Sequence, residues 1–292
     1  MANAIIPEFQ LNEKTHPGNV ALKVMNLDYM VAFYTQIIGL KLLANDGQTA
    51  TLGAGNTPLL YLLKTDAHRP SQQKTGLYHT AFLLPSRKDL GNALIHYVAS
   101  NAPMSGAADH IYSEALYLTD PEGNGIEVYH DKPRSEWTIN EDGEIPSDTL
   151  EMDVEGVLKA ADQKWNGFPD DSMVGHIHLS VSNVDTTTDF YTQVLGLSLK
   201  FNFGDAARFL ATGGYHHHIG ANTWMSKDAP TLADDEIGLK YYSFYVPAQA
   251  ELDRIAAHMT DKQLSFKRTN NGEIWFTDPS GITGHFELQP QA

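Results

Sequence analysis

The chain has 292 residues, enough for two domains with full hydrophobic cores. Its formal net charge is −16 and it has no basic run, which argues against a nucleic-acid partner. It contains no cysteine, which excludes disulfides, thiolate metal sites and cysteine nucleophiles, so any metal must be held by His, Asp or Glu. No stretch approaches the about 18 apolar residues of a membrane span. We therefore expect a cytoplasmic protein without a membrane partner.

The sequence repeats itself at a displacement of 157 positions. The tripeptide NLD at 26–28 recurs as NVD at 183–185, and FYTQIIGL at 33–40 recurs as FYTQVLGL at 190–197. The same displacement superposes three apolar positions of one predicted strand on those of another, namely Val20, Leu22 and Val24 on Ile177, Leu179 and Val181. The agreement indicates two related units of strand, helix and further strands.

The sequence MVGHIHLSV at 173–181 predicts a strand with two chemically different faces. Because alternate residues of a strand share a face, Ile177, Leu179 and Val181 are expected to pack inward. His176 and His178 then lie on the opposite face. The strand therefore has an apolar back and an imidazole front.

Each of these units continues with a helix and short strands. Asp28 and Asp185 lie where an acidic residue favours a helix N-terminus, and Gly39 and Gly196 lie where a left-handed residue ends a helix. The strands predicted after the helices are 50–52 with 59–63, and 207–210 with 216–224.

A second kind of unit begins with GLYH at 76–79 and with GLKY at 238–241, and it ends around Asp-Pro-x-Gly turns at 120–123 and 278–281. The helix of the first of these units is predicted to bury one apolar stripe, formed by Leu90, Leu94, Ile95 and Val98. The chain is thus predicted to be four βαβββ modules, two of each kind.

The segment between the halves is charged and punctuated by Gly and Pro, and we expect it to be a linker with a short helix near 154–161. The predicted organisation is an N-terminal region at 16–131 with modules one and two, a linker at 132–172, and a C-terminal region at 173–292 with modules three and four.

Four such modules resemble the vicinal oxygen chelate superfamily, which includes glyoxalases, bleomycin-resistance proteins and extradiol dioxygenases. SEALYLTDPEGNGIEVY at 113–129 and GGYHHHIGANTW at 213–224 are similar to bacterial catechol 2,3-dioxygenases. The resemblance implies an α+β fold in which pairs of modules form two open β-barrel cups. It also implies a metal held by a first-strand residue of each module of a pair and by a last-strand carboxylate.

The ligand positions that the resemblance implies are filled unequally. The first-strand positions of modules one to four hold Asn19, His79, His176 and Tyr241. The last-strand position holds Glu127 in module two and His285 in module four. His79, Glu127 and His176 therefore form one complete set of two His and one carboxylate, which suits ferrous iron with open coordination positions.

Simpler explanations exist for each residue of this set. A histidine on a strand face is usually a surface or hydrogen-bonded residue. Glu127 lies in what reads as a core strand, where its charge needs a cation or a partner, and a buried arginine would suffice.

The resemblance also implies three pocket residues. His217 matches a histidine that moves protons to and from bound catechol, Tyr117 matches a tyrosine that hydrogen-bonds the substrate hydroxyl, and His110 lies near a second pocket histidine. The alternative for the triple-histidine run at 216–218 is a solvated strand edge.

The expected function is extradiol cleavage of catechol by O2 to 2-hydroxymuconate semialdehyde at a non-haem Fe(II) site, with Mn(II) as the alternative ion. A glyoxalase-type lyase or isomerase would use the same cup with a fourth protein ligand for Ni or Zn. A metal-free binding protein would have the cup without ligands. We expect a homo-oligomer, whose order the sequence leaves open.

The distribution of ligands predicts how the modules pair. If modules one and two shared a cup, His79 and Glu127 would be separated from His176. Pairing module two with module three unites all three, and the linker is long enough for this at about 3.3 Å per residue. The other cup, from modules one and four, would then carry Asn19, Tyr241 and His285 and hold no metal.

Overall fold

The computed structural model describes residues 4–290, which fold as four βαβββ modules joined by a linker. Module one contains β1 (His16–Val24), α1 (Leu27–Ala32), β2 (Lys41–Asn45), β3 (Thr49–Ala54) and β4 (Thr57–Lys64). Module two contains β5 (Gly76–Leu83), α2 (Arg87–Ala99), β6 (Met104–Asp109), β7 (Ser113–Thr119) and β8 (Gly125–Asp131). The linker contains α3 (Val154–Ala160). Module three contains β9 (Met173–Ser180), α4 (Val184–Asp189), β10 (Ser198–Phe203), β11 (Ala207–Ala211) and β12 (Ile219–Asn222). Module four contains β13 (Gly238–Val246), α5 (Gln249–Asp261), β14 (Lys267–Arg268), β15 (Ile274–Thr277) and β16 (Thr283–Leu288).

The helices of modules one and three begin and end alike, as the repeat predicts. The side chains of Asn26 and Asn183 accept hydrogen bonds from backbone N–H groups of the first turn and so satisfy donors that the helix itself leaves free. Each helix continues into a π-helical turn. The turns are followed by Gly39 at φ +103° and Gly196 at φ +85°, which confirms the predicted left-handed residues.

The buried face of α2 differs from the predicted stripe. Val98 is 62% exposed, whereas Leu90, Ala93, Leu94 and Tyr97 are buried. These four occupy positions i, i+3, i+4 and i+7 of one face. The hydroxyl of Tyr97 donates to a buried backbone carbonyl at 2.9 Å, so the aromatic ring takes the place that the prediction gave to Val98.

The strands form two curled eight-stranded sheets that combine modules in the predicted pairs. One sheet has the order β10-β11-β12-β9-β5-β8-β7-β6 and so joins module three to module two. The other has the order β14-β15-β16-β13-β1-β4-β3-β2 and joins module four to module one. In the first sheet β5 and β9 are antiparallel neighbours, with Ala81 opposite His176. We call the concave faces the first cup, from modules two and three, and the second cup, from modules one and four.

The Asp-Pro-x-Gly turn of module two connects the two sheets. The carboxylate of Asp120 accepts hydrogen bonds from within its own turn and from the hydroxyl of Tyr34 in module one. The carboxylate of Glu122 accepts from the backbone N–H groups of Met25 and Asn26 at 2.9 to 3.0 Å. These bonds hold modules one and two side by side although their strands lie in different sheets.

The linker is ordered and carries the predicted short helix. α3 lies across α2, where Asn92 donates to Asp162 at 2.8 Å and Val157 is buried. Further along, the backbone N–H of Phe168 bonds to the carbonyl of Gly39. The linker therefore packs along modules one and two before it reaches β9. None of the helices in residues 4–290 is long and apolar enough to cross a membrane.

Gly175 in β9 lies where a side chain does not fit, and this gives a first prediction. A Cβ at this position would come within 1.8 Å of the Tyr129 hydroxyl. Gly175→Ala is therefore expected to lower the free energy of unfolding by about 1–3 kcal/mol, the usual cost of overpacking. Gly106→Ala in β6 is the control, because no atom of residues 4–290 lies within 4 Å of a Cβ placed there. Urea unfolding of both variants measures the difference, and equal effects would contradict the close packing of Tyr129 on β9.

Candidate metal centre and pocket

The structure brings His79, Glu127 and His176 together on three adjacent strands of the first cup. β5 lies between β8 and β9 in the sheet and contributes His79. The neighbouring strands contribute Glu127 and His176, and both lie at the level of Ala81. The three side chains thus lie next to one another on one concave face. In the sequence, 97 positions separate the two histidines.

The donor atoms of the three residues form a nearly equilateral triangle. Nε2 of His79 is 3.0 Å from Oε2 of Glu127 and 3.2 Å from Nε2 of His176, and the third side is 3.3 Å. Three ligands at right angles around one ion, each about 2.1 Å from it, are about 3.0 Å apart. The arrangement therefore fits one face of an octahedral metal site and leaves the opposite face to other ligands.

Within residues 4–290 the ion-pair partners of the Glu127 carboxylate are two imidazoles, those of His79 and His176. Glu127 is 3% exposed, and within residues 4–290 no lysine or arginine forms an ion pair with it. The buried arginine that would have explained this residue is thus missing from the described part of the chain. A buried carboxylate with imidazoles as its partners costs several kcal/mol unless a cation joins it.

The protonation of the site also suits a metal. Burial raises the pKa of Glu127, but attraction to His176 and His79 outweighs this and holds the pKa well below its usual value. Burial lowers the pKa of His176 to about 4. Near pH 7 the site therefore offers an ionised carboxylate and a neutral imidazole at His176, the forms that bind metal.

The triad lies at the wall of a cavity of about 590 Å³, a size typical of small-molecule sites. The cavity is also lined by the three predicted pocket residues, His110, Tyr117 and His217. All six residues singled out in the sequence therefore face one space.

His217 is the end of a chain of hydrogen bonds that fixes its orientation. Nδ1 of His217 lies 2.8 Å from Nδ1 of His216, and Nε2 of His216 lies 2.9 Å from the carboxylate of Asp131. An ionised carboxylate only accepts, so His216 donates through Nε2 and accepts through Nδ1. His217 must then donate through Nδ1, which leaves the lone pair on its Nε2. Its ring lies 4.1 Å from that of His176.

Tyr117 and His110 form a second oriented pair. Nδ1 of His110 donates to the carbonyl of Asp148 at 2.9 Å, because a carbonyl can only accept. In the neutral ring Nε2 then accepts the proton of the Tyr117 hydroxyl at 2.5 Å. Burial, followed by the charge of Glu127, raises the pKa of Tyr117 well above its usual value, so the hydroxyl stays protonated. The lone pairs of its oxygen remain free to accept a hydrogen bond.

The triple-histidine run is neither a strand nor a solvated edge. Residues 216–218 lie in the turn before β12 (Ile219–Asn222), so the predicted strand at 216–224 was wrong at both ends. All three histidines are at most 6% exposed. His216 forms a hydrogen bond with Asp131 and stacks on the ring of Tyr112, with 4.1 Å between the ring centroids. These two contacts explain why the run folds inward.

Several pocket residues were missed as candidates in the sequence. His178 was placed on the polar face of its strand, and it lines the cavity with a buried Nε2 that has no hydrogen-bond partner within residues 4–290. Tyr78, Phe209 and Trp224 form aromatic walls around it. Strand alternation could have identified His178. The three aromatic residues could not be singled out in this way, because aromatic residues in strands usually belong to the core.

Comparison with known proteins decides the family. The family model described as the Glyoxalase/Bleomycin resistance protein/Dioxygenase superfamily matches residues 16–128 and 173–286. The chain belongs to this superfamily. A catechol-2,3-dioxygenase from Bacillus subtilis (strain 168) is 40% identical over 266 residues, which cover 89% of this chain and 93% of that protein.

Solved structures support the fold. Glyoxalase I from Zea mays has a TM-score of 0.56 at 13% identity, covering 94% of this chain and 92% of that chain. The cppA protein from Streptococcus pneumoniae TIGR4 has a TM-score of 0.57 at 12% identity, covering 96% and 99%. At these identities the likeness concerns the fold alone.

Proposed function

We propose that this superfamily member is an extradiol dioxygenase that cleaves catechol with O2 to 2-hydroxymuconate semialdehyde. His79, Glu127 and His176 would hold Fe(II), with Mn(II) as the other ion that the donor set accepts. The observation that carries the proposal is the triangle of two imidazoles and one carboxylate beside an oriented histidine in one cavity. The 40% identity to a catechol-2,3-dioxygenase supports the same reaction class.

Bound ferrous iron supplies open coordination positions and a one-electron redox couple for chemistry between the ring and dioxygen. The protein supplies proton transfer and orientation. Burial lowers the pKa of His217 well below its usual value, so its ring is neutral near pH 7, and its Nε2 carries the lone pair that would accept the proton of a catechol hydroxyl. The oxygen of Tyr117 accepts a hydrogen bond from the substrate and fixes the ring in the cavity.

The two rival functions make different use of the cup. A glyoxalase-type enzyme would need a fourth protein ligand, whereas the group of metal-ligating residues at this site contains three. A metal-free binding protein would have no reason to bury Glu127 between two imidazoles. The geometry therefore favours the dioxygenase.

Anaerobic loading with ferrous iron followed by exposure to catechol and air tests the proposal. The loaded protein is expected to consume oxygen and to form a yellow product, whereas protein treated with a chelator does neither. Peroxide is expected to inactivate the enzyme by oxidising the iron, and ascorbate with ferrous salt to restore it. A loaded protein that is inert toward a panel of catechols, yet converts a glutathione hemithioacetal, would move the chain to the glyoxalase class.

A further inference from the structure

The second cup contains a group of ligating residues that is shifted from the one in the first cup. Its three equivalent positions hold Asn19 on β1, Tyr241 on β13 and His285 on β16. Glu287 lies two residues after His285, on the same face of β16. Glu273 lies immediately before β15, which pairs with β16. The two glutamates supply the carboxylates that the three equivalent positions lack.

The donor atoms of these residues are close enough for one ion. Nε2 of His285 lies 3.4 Å from Oε1 of Glu287. With Glu273 they form a group whose ligand atoms all lie within 4.8 Å of one another. Four ligands placed tetrahedrally at about 2.1 Å from an ion are about 3.4 Å apart. The side chain of Glu273 is partly exposed, and its carboxylate completes the group.

Asn19 provides an independent observation at the same place. The residue is 3% exposed, and its Nδ2 donates to Oε1 of Glu287 at 2.8 Å, so its carboxamide lies at the group. The carboxamide oxygen is buried and has no hydrogen-bond partner within residues 4–290. A buried oxygen without a partner costs about 1–3 kcal/mol, and a cation would satisfy it.

The negative charge of the second cup is not balanced by basic residues. Within residues 4–290 no lysine or arginine forms an ion pair with Glu273 or Glu287, and His285 is the only ion-pair partner of Glu287. The side chain of Glu287 is 23% exposed, so a cation can reach the group from solvent.

We propose that the second cup binds a divalent transition-metal ion through Glu273, His285 and Glu287, with the carboxamide oxygen of Asn19 as a neutral ligand. The three equivalent positions alone predict no metal in the second cup, because they include no carboxylate. The ring of Trp275 lies against His285 at 4.0 Å, and its Nε1 donates to Glu273 at 2.8 Å, so it orients two of the ligands. The ion would connect β1 to β16 and thereby module one to module four.

The number of Mn²⁺ ions bound per chain tests this site. Chain stripped of metal and dialysed against Mn²⁺ is expected to bind two equivalents, measured from the electron paramagnetic resonance signal of the free ion. Glu287→Gln and Glu273→Gln are each expected to bind one. Gln keeps the shape and can still accept the hydrogen bonds from Asn19 and Trp275, so both variants should fold. Glu141→Gln, at an exposed acidic residue outside both cups, is the control and should bind two.

Variants of the first cup separate this inference from the proposed function. Glu127→Gln is expected to bind one equivalent, and Glu127→Gln with Glu287→Gln none. A single equivalent in wild type that is retained in Glu287→Gln and lost in Glu127→Gln would overturn the second site. So would two equivalents in both Glu287→Gln and Glu273→Gln. A failure of the dioxygenase assay, with these Mn²⁺ equivalents as expected, would contradict the proposed function and not the second metal site.

Discussion

Glu127→Gln is expected to lose the proposed iron of the first cup and to reduce the proposed ring cleavage by about 10³-fold or more. The variant keeps the size of the side chain but removes the negative charge on which the triad depends. Metal catalysis of this kind contributes several kcal/mol to the transition state, and each 1.36 kcal/mol is about a tenfold change in rate. Iron content after anaerobic loading and oxygen uptake with catechol measure the two effects.

The stability of the metal-free protein provides a second readout for this variant. Because the ionised carboxylate of Glu127 pairs with His79 and His176, Glu127→Gln is expected to be somewhat less stable than wild type when both lack metal, so the comparison rests on how much added metal stabilises each protein. Metal should stabilise wild type, by about 2.7 kcal/mol at a concentration of 100 Kd, more than it stabilises the variant. Glu114→Gln is the matched control, because Glu114 is buried on the same sheet but pairs with Arg87 at 2.6 Å. The control should keep its iron and lose stability. The opposite pattern in the two variants would argue against Glu127 as a ligand.

The pairing of modules could be predicted because the positions of three candidate ligands, and not local propensity, distinguish between the two possible pairings. The hydrophobic pattern is equally compatible with one cup formed by modules one and two and another formed by modules three and four. Only the unequal distribution of His79, Glu127 and His176 over modules two and three required the exchange, and the sheet order confirms it. The repeat displacement had already aligned the strands, so the register of the first-strand positions followed from it.

The errors arose where tertiary contacts replaced local pattern. Val98 has the spacing of a buried residue, yet Tyr97 occupies the space because its hydroxyl finds a backbone carbonyl. The histidines at 216–218 were predicted to begin a strand, yet Asp131 holds His216 in a turn from 85 positions away. Rules that use only neighbouring residues in the sequence cannot predict such long-range contacts.

The second cup was underestimated for a different reason. Asn19, Tyr241 and His285 differ from the expected ligands at all three equivalent positions, and this suggested a cup without metal. Glu287 is the next residue after His285 on the same face of β16. Glu273 lies immediately before β15, and the sequence does not reveal the register in which β15 pairs with β16. A comparison limited to equivalent positions cannot detect ligands that have moved along the sheet.

His217→Ala is expected to lower the turnover of catechol by about 10²- to 10⁴-fold while the protein retains its iron. The imidazole is oriented by His216 and Asp131 so that the lone pair of Nε2 is available to accept a proton. Removal of the side chain leaves the three proposed ligands in place. Turnover under saturating catechol, together with iron analysis of the same preparation, measures the effect.

The neighbouring His218 is the matched control for this prediction. It is equally buried, but its Nδ1 lies 3.2 Å from the backbone N–H of Thr212, and it lines a different cavity from the triad. His218→Ala is expected to be less stable than wild type yet to keep turnover within several-fold when it is folded. Asp131→Asn should fall between the two variants, since it weakens the orientation of His217 without removing its nitrogen. Loss of iron in His217→Ala would instead make this residue a ligand or a support of the metal centre, and equal turnover in the His217 and His218 variants would remove the proton-transfer role.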